Sequence, residues 1–113
     1  MPSVPYREAL RDMAERNPEF ADQMLEAAVN AMLAGDLDEG RIHLRDYVTS
    51  TIGFQELAAR TGKIDKNLMR TLGPKGSPTA ANLFQILQAC TEAGGVKVAA
   101  HVIRPKEPAE ASG

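Results

Sequence analysis

Three side chains that can hydrogen-bond to DNA bases lie close together in the stretch DKNLMRTL, residues 65–72. They are Lys66, Asn67 and Arg70. Arginine can make a bidentate contact with guanine, asparagine with adenine, and lysine either contacts guanine or neutralises a phosphate. If this stretch forms a helix whose leucines face inward, the three side chains fall on the opposite face. Their types and spacing predict contacts with double-stranded DNA.

Other side chains around this stretch are candidates for contacts with the phosphate backbone. Lys63 precedes it, Lys75 follows it, and Gln55 lies near the expected start of the preceding helix. Lysine, polar side chains and the amides at helix starts all bind phosphate groups. Arg60 is ambiguous, because it could equally be a solvated helix charge. The predicted DNA-binding residues are Gln55, Lys63, Lys66, Asn67, Arg70 and Lys75.

Two short helical patterns separated by one glycine would have to position these side chains. Ala58 is small enough to lie where the helices cross, Gly62 permits the left-handed or crowded backbone of a tight turn, and Leu68 packs the second helix back onto the first. We expect Asp65 to cap the second helix, with Leu72 as its other inward anchor. Such a pair of helices is the geometry that places a recognition helix in a major groove.

Helix signals also dominate the rest of the chain. Three N-terminal helices are predicted, at about 5–16, at 18–34 and after Asp36, with Asn17 and Asp36 as caps and Gly35 as a stop. Apolar residues recur at helical spacing in the first two helices, at Leu10, Met13, Ala14, Phe20, Met24, Leu25, Ala28, Met32 and Leu33. In the third helix, Ile42, Leu44, Tyr47 and Val48 are expected to face inward. Gly40 weakens the third helix by about 1 kcal/mol relative to alanine.

The C-terminal part begins with GPKGSPT, which is a loop by composition. A longer helix is expected from Thr79 or Ala80 to the Gly94-Gly95 pair, with apolar residues at Leu83, Phe84, Ile86, Leu87 and Cys90. VKVAAHVI, residues 96–103, is rich in β-branched residues and predicts one strand. A lone strand leaves its edge unpaired, so it is a candidate dimer element, unless it pairs with an extended piece of its own chain.

The charges are divided unevenly along the chain. Residues 1–52 carry five basic and ten acidic side chains, a net charge of −5, whereas residues 53–106 carry eight basic and three acidic ones, a net charge of +5. The division suggests a basic working half beside an acidic half, although chance clustering of solvated charges is the alternative. We divide the chain into an acidic helical segment (1–52), a helix-turn-helix unit with its strand (53–104) and a flexible tail (105–113).

The segments ELAARTG and NLMRTLGPKGSPTAANLFQILQA resemble the lambda-repressor-like helix-turn-helix family, and within it the antidote (antitoxin) or prophage-type regulators of bacterial addiction modules. The similarity runs from about Gly53 to Val102, and LRDYV resembles the end of the leader helices in some members. The chain departs from the family pattern at Phe54, where glutamine is usual, and at Lys63 and Ile64, where an aliphatic residue and then serine or threonine are usual.

The resemblance implies a mainly α fold, a lambda-repressor-like domain preceded by about three helices and followed by one short strand. It also implies an antitoxin that sequesters a basic, RNA-cleaving toxin, for which the acidic half is a reasonable docking surface. We expect a transcriptional regulator that binds an inverted-repeat operator as a homodimer. The alternative is a helical protein-interaction module, centred on residues 54–92, without DNA binding.

Other function classes have little support. His43 and His101 are distant in sequence from each other and from Cys90, so we expect no enzyme, metal site or cofactor. Asp36, Asp38 and Glu39 resemble a cation loop but lack its other ligands, and a helix cap explains them better. No apolar stretch is long enough for a membrane span, no secretion signal is visible, and a lone cysteine fits a cytoplasmic protein.

Overall fold

Six helices make up most of the computed structural model, which describes residues 3–105, with side chains from residue 6 onward. The predicted mainly α fold is confirmed. The helices are α1 (Ser3–Arg16), α2 (Pro18–Leu33), α3 (Leu37–Ser50), α4 (Gly53–Thr61), α5 (Asp65–Leu72) and α6 (Ala80–Gly94). Residues 106–113, most of the predicted tail, lie outside the described residues. None of the helices within the described residues combines the length and apolar composition needed to cross a bilayer.

Local capping explains where three of the helices start. The side-chain oxygen of Asn17 accepts a hydrogen bond from the Glu19 amide at 3.1 Å at the start of α2. Asp36 accepts one from the Glu39 amide at 3.0 Å at the start of α3. Thr79 does the same for the Asn82 amide at 3.1 Å at the start of α6. Each cap satisfies an amide that has no partner within its helix, which confirms the predicted starts.

The apolar side chains of α2 to α6 form one continuous core. It includes residues from both the acidic and the basic half of the chain, and its largest fully buried members include Leu25, Leu44, Val48, Leu57, Leu68, Leu72, Leu83 and Ile86. Because the same core supports α3 and α5, the N-terminal helices stabilise the helix that carries Lys66, Asn67 and Arg70.

Gly40 lies where α2 and α3 approach each other closely. An added Cβ atom at this position would lie 2.6 Å from Cγ of Met32 and 3.4 Å from the carbonyl oxygen of Ala28. Glycine therefore costs helix propensity in α3 but allows the close packing of α3 on α2.

Four residues of the predicted apolar helix patterns are exposed. Met13 is 49% exposed, Leu33 61%, Ile42 37% and Phe84 46%. Helical period shows which residues share a stripe, but a stripe is buried only where another element covers it. For each of these four side chains, the covering element is absent from the described part of the fold.

The predicted strand at residues 96–103 is wrong for the described structure. From Val96 to Pro105 the chain continues without helix, strand, turn or bend. A strand requires a neighbouring strand for its hydrogen bonds, and residues 3–105 contain no strand. High β propensity was therefore not sufficient for residues 96–103 to form a strand.

Candidate nucleic-acid interface

The turn between α4 and α5 is short and begins at a left-handed glycine. Gly62 has φ 71° and ψ 15°, and its amide donates to the carbonyl oxygen of Ala58 at 2.9 Å. Lys63 and Ile64 complete the connection, and α5 begins at Asp65. A residue with a Cβ atom rarely adopts this backbone conformation, so the predicted role of Gly62 is confirmed.

The two faces of α5 have opposite character, as the sequence predicted. Leu68 is 1% exposed and Leu72 is fully buried, whereas Lys66, Asn67 and Arg70 are exposed. Nη2 of Arg70 donates to the side-chain oxygen of Asn67 at 3.2 Å. The two side chains best suited to reading bases are therefore adjacent and hydrogen-bonded to each other.

The predicted cap of α5 is displaced by one residue. Ile64, with an extended backbone, occupies the N-cap position and Asp65 is the first helical residue. The Asp65 carboxylate accepts a hydrogen bond from the Lys66 amide at 2.7 Å. Asp65 thus satisfies one free amide and places a negative charge at the positive end of the helix dipole, but from the first turn.

The candidate phosphate-binding residues lie in different surroundings. Gln55 is exposed near the start of α4, where it borders a cleft between α1 and the start of α5. Lys63 borders a second cleft, between the end of α4 and the Gln85 and Gln88 side of α6. Lys75 is exposed in the loop after α5. The structure gathers Lys66, Asn67 and Arg70 on one helix face, but it does not place Gln55 and Lys63 in one cleft.

Arg60, which was ambiguous from sequence, forms an ion pair within α4. Its Nε atom donates to a carboxylate oxygen of Glu56 at 2.8 Å, one helical turn away. This pairing favours the interpretation of Arg60 as a solvated helix charge.

Two arginines of α1 adjoin this surface and were missed from sequence, where they counted as part of the acidic half. Arg7 and Arg11 line the cleft of about 390 Å³ that also contains Gln55, Asp65 and Met69. Nη2 of Arg11 donates to the carbonyl oxygen of Thr49 at 3.2 Å, which ties α1 to α3. Their four-residue spacing, which places both on one helix face, was the only available signal.

Arg41 of α3 supports the C-terminal end of α5, although it is distant in sequence. Its Nη1 atom donates to the carbonyl oxygens of Leu72 at 2.9 Å and Gly73 at 2.7 Å. Its Nε and Nη2 atoms donate to Asp38 at 3.1 and 2.8 Å. The Arg41 residue is only 5% exposed. A buried cation at the carbonyl end of α5 satisfies free carbonyls and complements the helix dipole.

The three acidic residues considered as a cation loop have structural partners. Asp36 caps α3, Asp38 pairs with Arg41, and Glu39 lies 3.3 Å from the His43 ring. Across the described residues, no cluster of three or more histidine, cysteine, aspartate or glutamate side chains has the arrangement of a metal site. Burial raises the pKa of Cys90 to about 12, so its thiol is protonated near neutral pH.

Comparison of the chain with protein-family models, with curated proteins and with solved structures gives no match. The lambda-repressor-like resemblance therefore remains a prediction from the motif residues.

Proposed function

We propose that the protein is a sequence-specific transcriptional regulator that binds double-stranded DNA as a homodimer on an inverted repeat. The observation that carries the proposal is α5 itself. Its inner face is anchored by two buried leucines, and its outer face presents Lys66, Asn67 and Arg70 to solvent. An exposed polar helix after a three-residue, glycine-initiated turn is the arrangement used for reading a major groove.

The exposed side chains divide into two roles under this proposal. Asn67 and Arg70 read base edges, because both can form paired hydrogen bonds with a single base. Lys66 contacts guanine or the adjoining phosphate. Gln55 and Lys75, on elements that flank α5, bind backbone phosphates and set the orientation of the helix.

Recognition requires that α5 hold its position, since base contacts depend on distances of about 3 Å. A helix of eight residues has little stability of its own. The packing of Leu68 and Leu72, together with the hydrogen bonds from Arg41 to Leu72 and Gly73, supplies that support. The N-terminal helices thus contribute to DNA binding by supporting the recognition helix.

The proposal can be tested by selection of bound duplexes from a random-sequence pool, followed by fluorescence anisotropy on the enriched sequence at several salt concentrations. We expect an inverted-repeat motif and an affinity that falls as salt rises. Combined replacement of Lys66, Asn67 and Arg70 by alanine should abolish the sequence preference. Arg16→Ala is a matched control, because Arg16 is an exposed cation paired with Asp12. If no motif is enriched, the alternative of an interaction module without DNA binding is favoured.

A second candidate function, neutralisation of a basic toxin, is favoured by the surface of α1 to α3. Nine of the ten acidic side chains in residues 1–52 are exposed. The exposed charge of this segment is therefore predominantly negative, which suits a positively charged partner. Rescue of growth on co-expression with an adjacent toxin gene tests this function, and Glu15→Lys with Glu19→Lys should weaken the rescue. Failure with every neighbouring gene would leave a regulator that acts alone.

A further inference from the structure

The C-terminal segment, residues 96–105, lies beside α2. Several apolar side chains of the segment remain exposed. Val98 packs against the core, whereas Val102 is 92% exposed and Ile103 77%. On the α2 side, the groove beside this segment is lined by the buried residues Leu25 and Val29 and by Leu33, and of these three only Leu33 is exposed, at 61%. Exposed apolar side chains on both sides of one groove mark a surface that another element can cover.

The backbone of the segment is also available for pairing. The Val96 amide donates to the Thr91 carbonyl at 3.1 Å, and beyond it no backbone hydrogen bond within residues 3–105 involves residues 97–105. The sequence VKVAAHVI nevertheless has the β-branched residues that favour a pleated strand. An unpaired segment of this composition, without turn or bend, is a template for strand addition.

We propose that residues 96–104 pair with the same residues of a second copy as an antiparallel two-stranded ribbon, with Ala100 on the two-fold axis. This inference rests on the homodimer of the proposed function and assigns its interface. A two-fold axis perpendicular to the ribbon pairs residues whose numbers add to 200. Val98 of one copy then lies opposite Val102 of the other, and Ala100 lies opposite Ala100. The exposed Val102 is thereby placed beside a valine that already packs on the core.

The chemistry of the surroundings favours a second copy as the occupant. Antiparallel pairing of identical strands completes the hydrogen bonds of both copies at once, which is the self-complementarity of a two-fold interface. The segment is basic, with Lys97 and Arg104, and the α2 side of its groove carries Asp22 and Glu26. The residues that follow, KEPAEASG, contain no large apolar side chain that could cover Val102.

Packing against α2 also compensates for the low stability of an isolated two-stranded ribbon. Two strands alone are marginally stable in water and need a hydrophobic surface to pack on. Leu33 of each copy, which is 61% exposed, contributes apolar surface on one side of the ribbon, above the core residues Leu25 and Val29 that are already buried.

Disulfide trapping in the full-length chain tests the interface and its register, without DNA. In Ala100→Cys the two new thiols lie opposite each other, within the Cα separation of about 4.4–6.8 Å that a disulfide spans. In Ala99→Cys they are offset by two residues along the strands, beyond about 7 Å. We expect Ala100→Cys to form a linked dimer on mild oxidation, while Ala99→Cys and the wild type, whose Cys90 is buried, remain largely unlinked. Faster linkage of the Ala99→Cys variant than of Ala100→Cys would overturn the register.

Sedimentation equilibrium provides the second test, again without DNA. The wild type should dimerise. Val102→Asp should raise the dissociation constant of the dimer at least about tenfold, because it places one carboxylate from each copy opposite the apolar Val98 of the other copy. Met13→Asp, at an exposed apolar residue of α1, is the control and should leave the dimer unchanged. A wild type that stays monomeric at about 100 μM, or a Val102→Asp variant that dimerises normally, would refute the interface. A monomeric wild type would also remove the homodimer of the proposed function, whereas normal dimerisation of Val102→Asp refutes this interface alone. Loss of DNA binding by an α5 variant refutes the recognition helix and leaves both dimer measurements unaffected.

Discussion

The guanidinium group of Arg41 donates a hydrogen bond to the carbonyl oxygen of Leu72 at 2.9 Å, across 31 positions of sequence. This contact joins α3, in the acidic half of the chain, to the last residue of α5. A second hydrogen bond, to Gly73, satisfies the next carbonyl. The side chain that supports the proposed recognition helix therefore belongs to the half with the opposite net charge.

Replacement of Arg41 by methionine should destabilise the fold. It leaves the Leu72 and Gly73 carbonyls without their donor in a buried position, and we expect the free energy of unfolding to fall by about 2–3 kcal/mol. Urea denaturation followed by circular dichroism measures this change. Arg45→Met removes an exposed arginine from the same helix and should change stability by less than about 0.5 kcal/mol. Equal effects of the two substitutions would show that the buried hydrogen bonds contribute little.

Alanine substitutions should separate base reading from phosphate contact. Arg70→Ala or Asn67→Ala should cost about 1–3 kcal/mol of binding free energy and relax the preference at one base position. Lys75→Ala should weaken binding to all sequences alike and make the salt dependence shallower. Anisotropy titrations against the selected operator and its single-base variants measure both effects. Unchanged binding by all three variants would show that α5 is not the recognition helix.

The hydrogen bond between Arg70 and Asn67 predicts that these two substitutions are not additive. Because each removes a partner of the other, the double variant should lose less binding free energy than the sum of the single losses. A double-mutant cycle on the same operator gives the coupling energy. Lys75 with Asn67 is the comparison pair, and their effects should add within about 0.5 kcal/mol.

Gly62→Ala should destabilise the fold through the backbone alone. An added Cβ atom meets no other atom within 4 Å, but φ is +71°, which costs an L-residue about 1–2 kcal/mol. Gly62→Asn should cost less, since asparagine tolerates this conformation better than alanine does. Thermal unfolding of the two variants and the wild type provides the comparison. Equal stability of the alanine variant and the wild type would mean that the turn relaxes to another conformation.

Cys90 should resist thiol reagents while the protein is folded. Its side chain is fully buried and its pKa is raised from 9.0 to about 12 by burial. Labelling at pH 8 should therefore require unfolding and proceed at least about 10³-fold more slowly than in urea. Ala59→Cys, at an exposed position of α4, supplies a thiol that should react at once. Comparable rates for the two thiols in the native protein would contradict the burial of Cys90.

The same pKa shift has a consequence for stability at high pH. The folded state keeps the thiol protonated, so the contribution of Cys90 is complete below the ordinary pKa of 9.0. It is lost as the pH rises from there towards about 12, because only the unfolded chain ionises readily in that range. Urea midpoints between pH 8 and pH 10 should therefore decrease, and Cys90→Ala should decrease less steeply from its own lower starting value.

The sequence by itself determined the starts of α2, α3 and α6 and the two faces of α5. Asn17, Asp36 and Thr79 mark helix starts because a cap acts on amides two or three residues away. Gly62 marks the turn because its left-handed backbone conformation depends on the residue itself, which has no Cβ atom, and not on distant contacts. Leu68 and Leu72 define the inner face because helical period is a local property. The exposure of Lys66, Asn67 and Arg70 follows directly.

Tertiary structure decided which elements support or flank that helix. The contacts of Arg41 with Leu72 and of Arg11 with Thr49 join residues more than thirty positions apart, and no local pattern encodes them. Ile64 occupies the N-cap position of α5 instead of the predicted Asp65, because the turn geometry, rather than side-chain preference, set the first helical residue. Residues 96–103 have strand propensity but no partner strand in the described chain. Propensity is a property of the segment, whereas a strand, a buried face or a buried cation also depends on the element that packs against it.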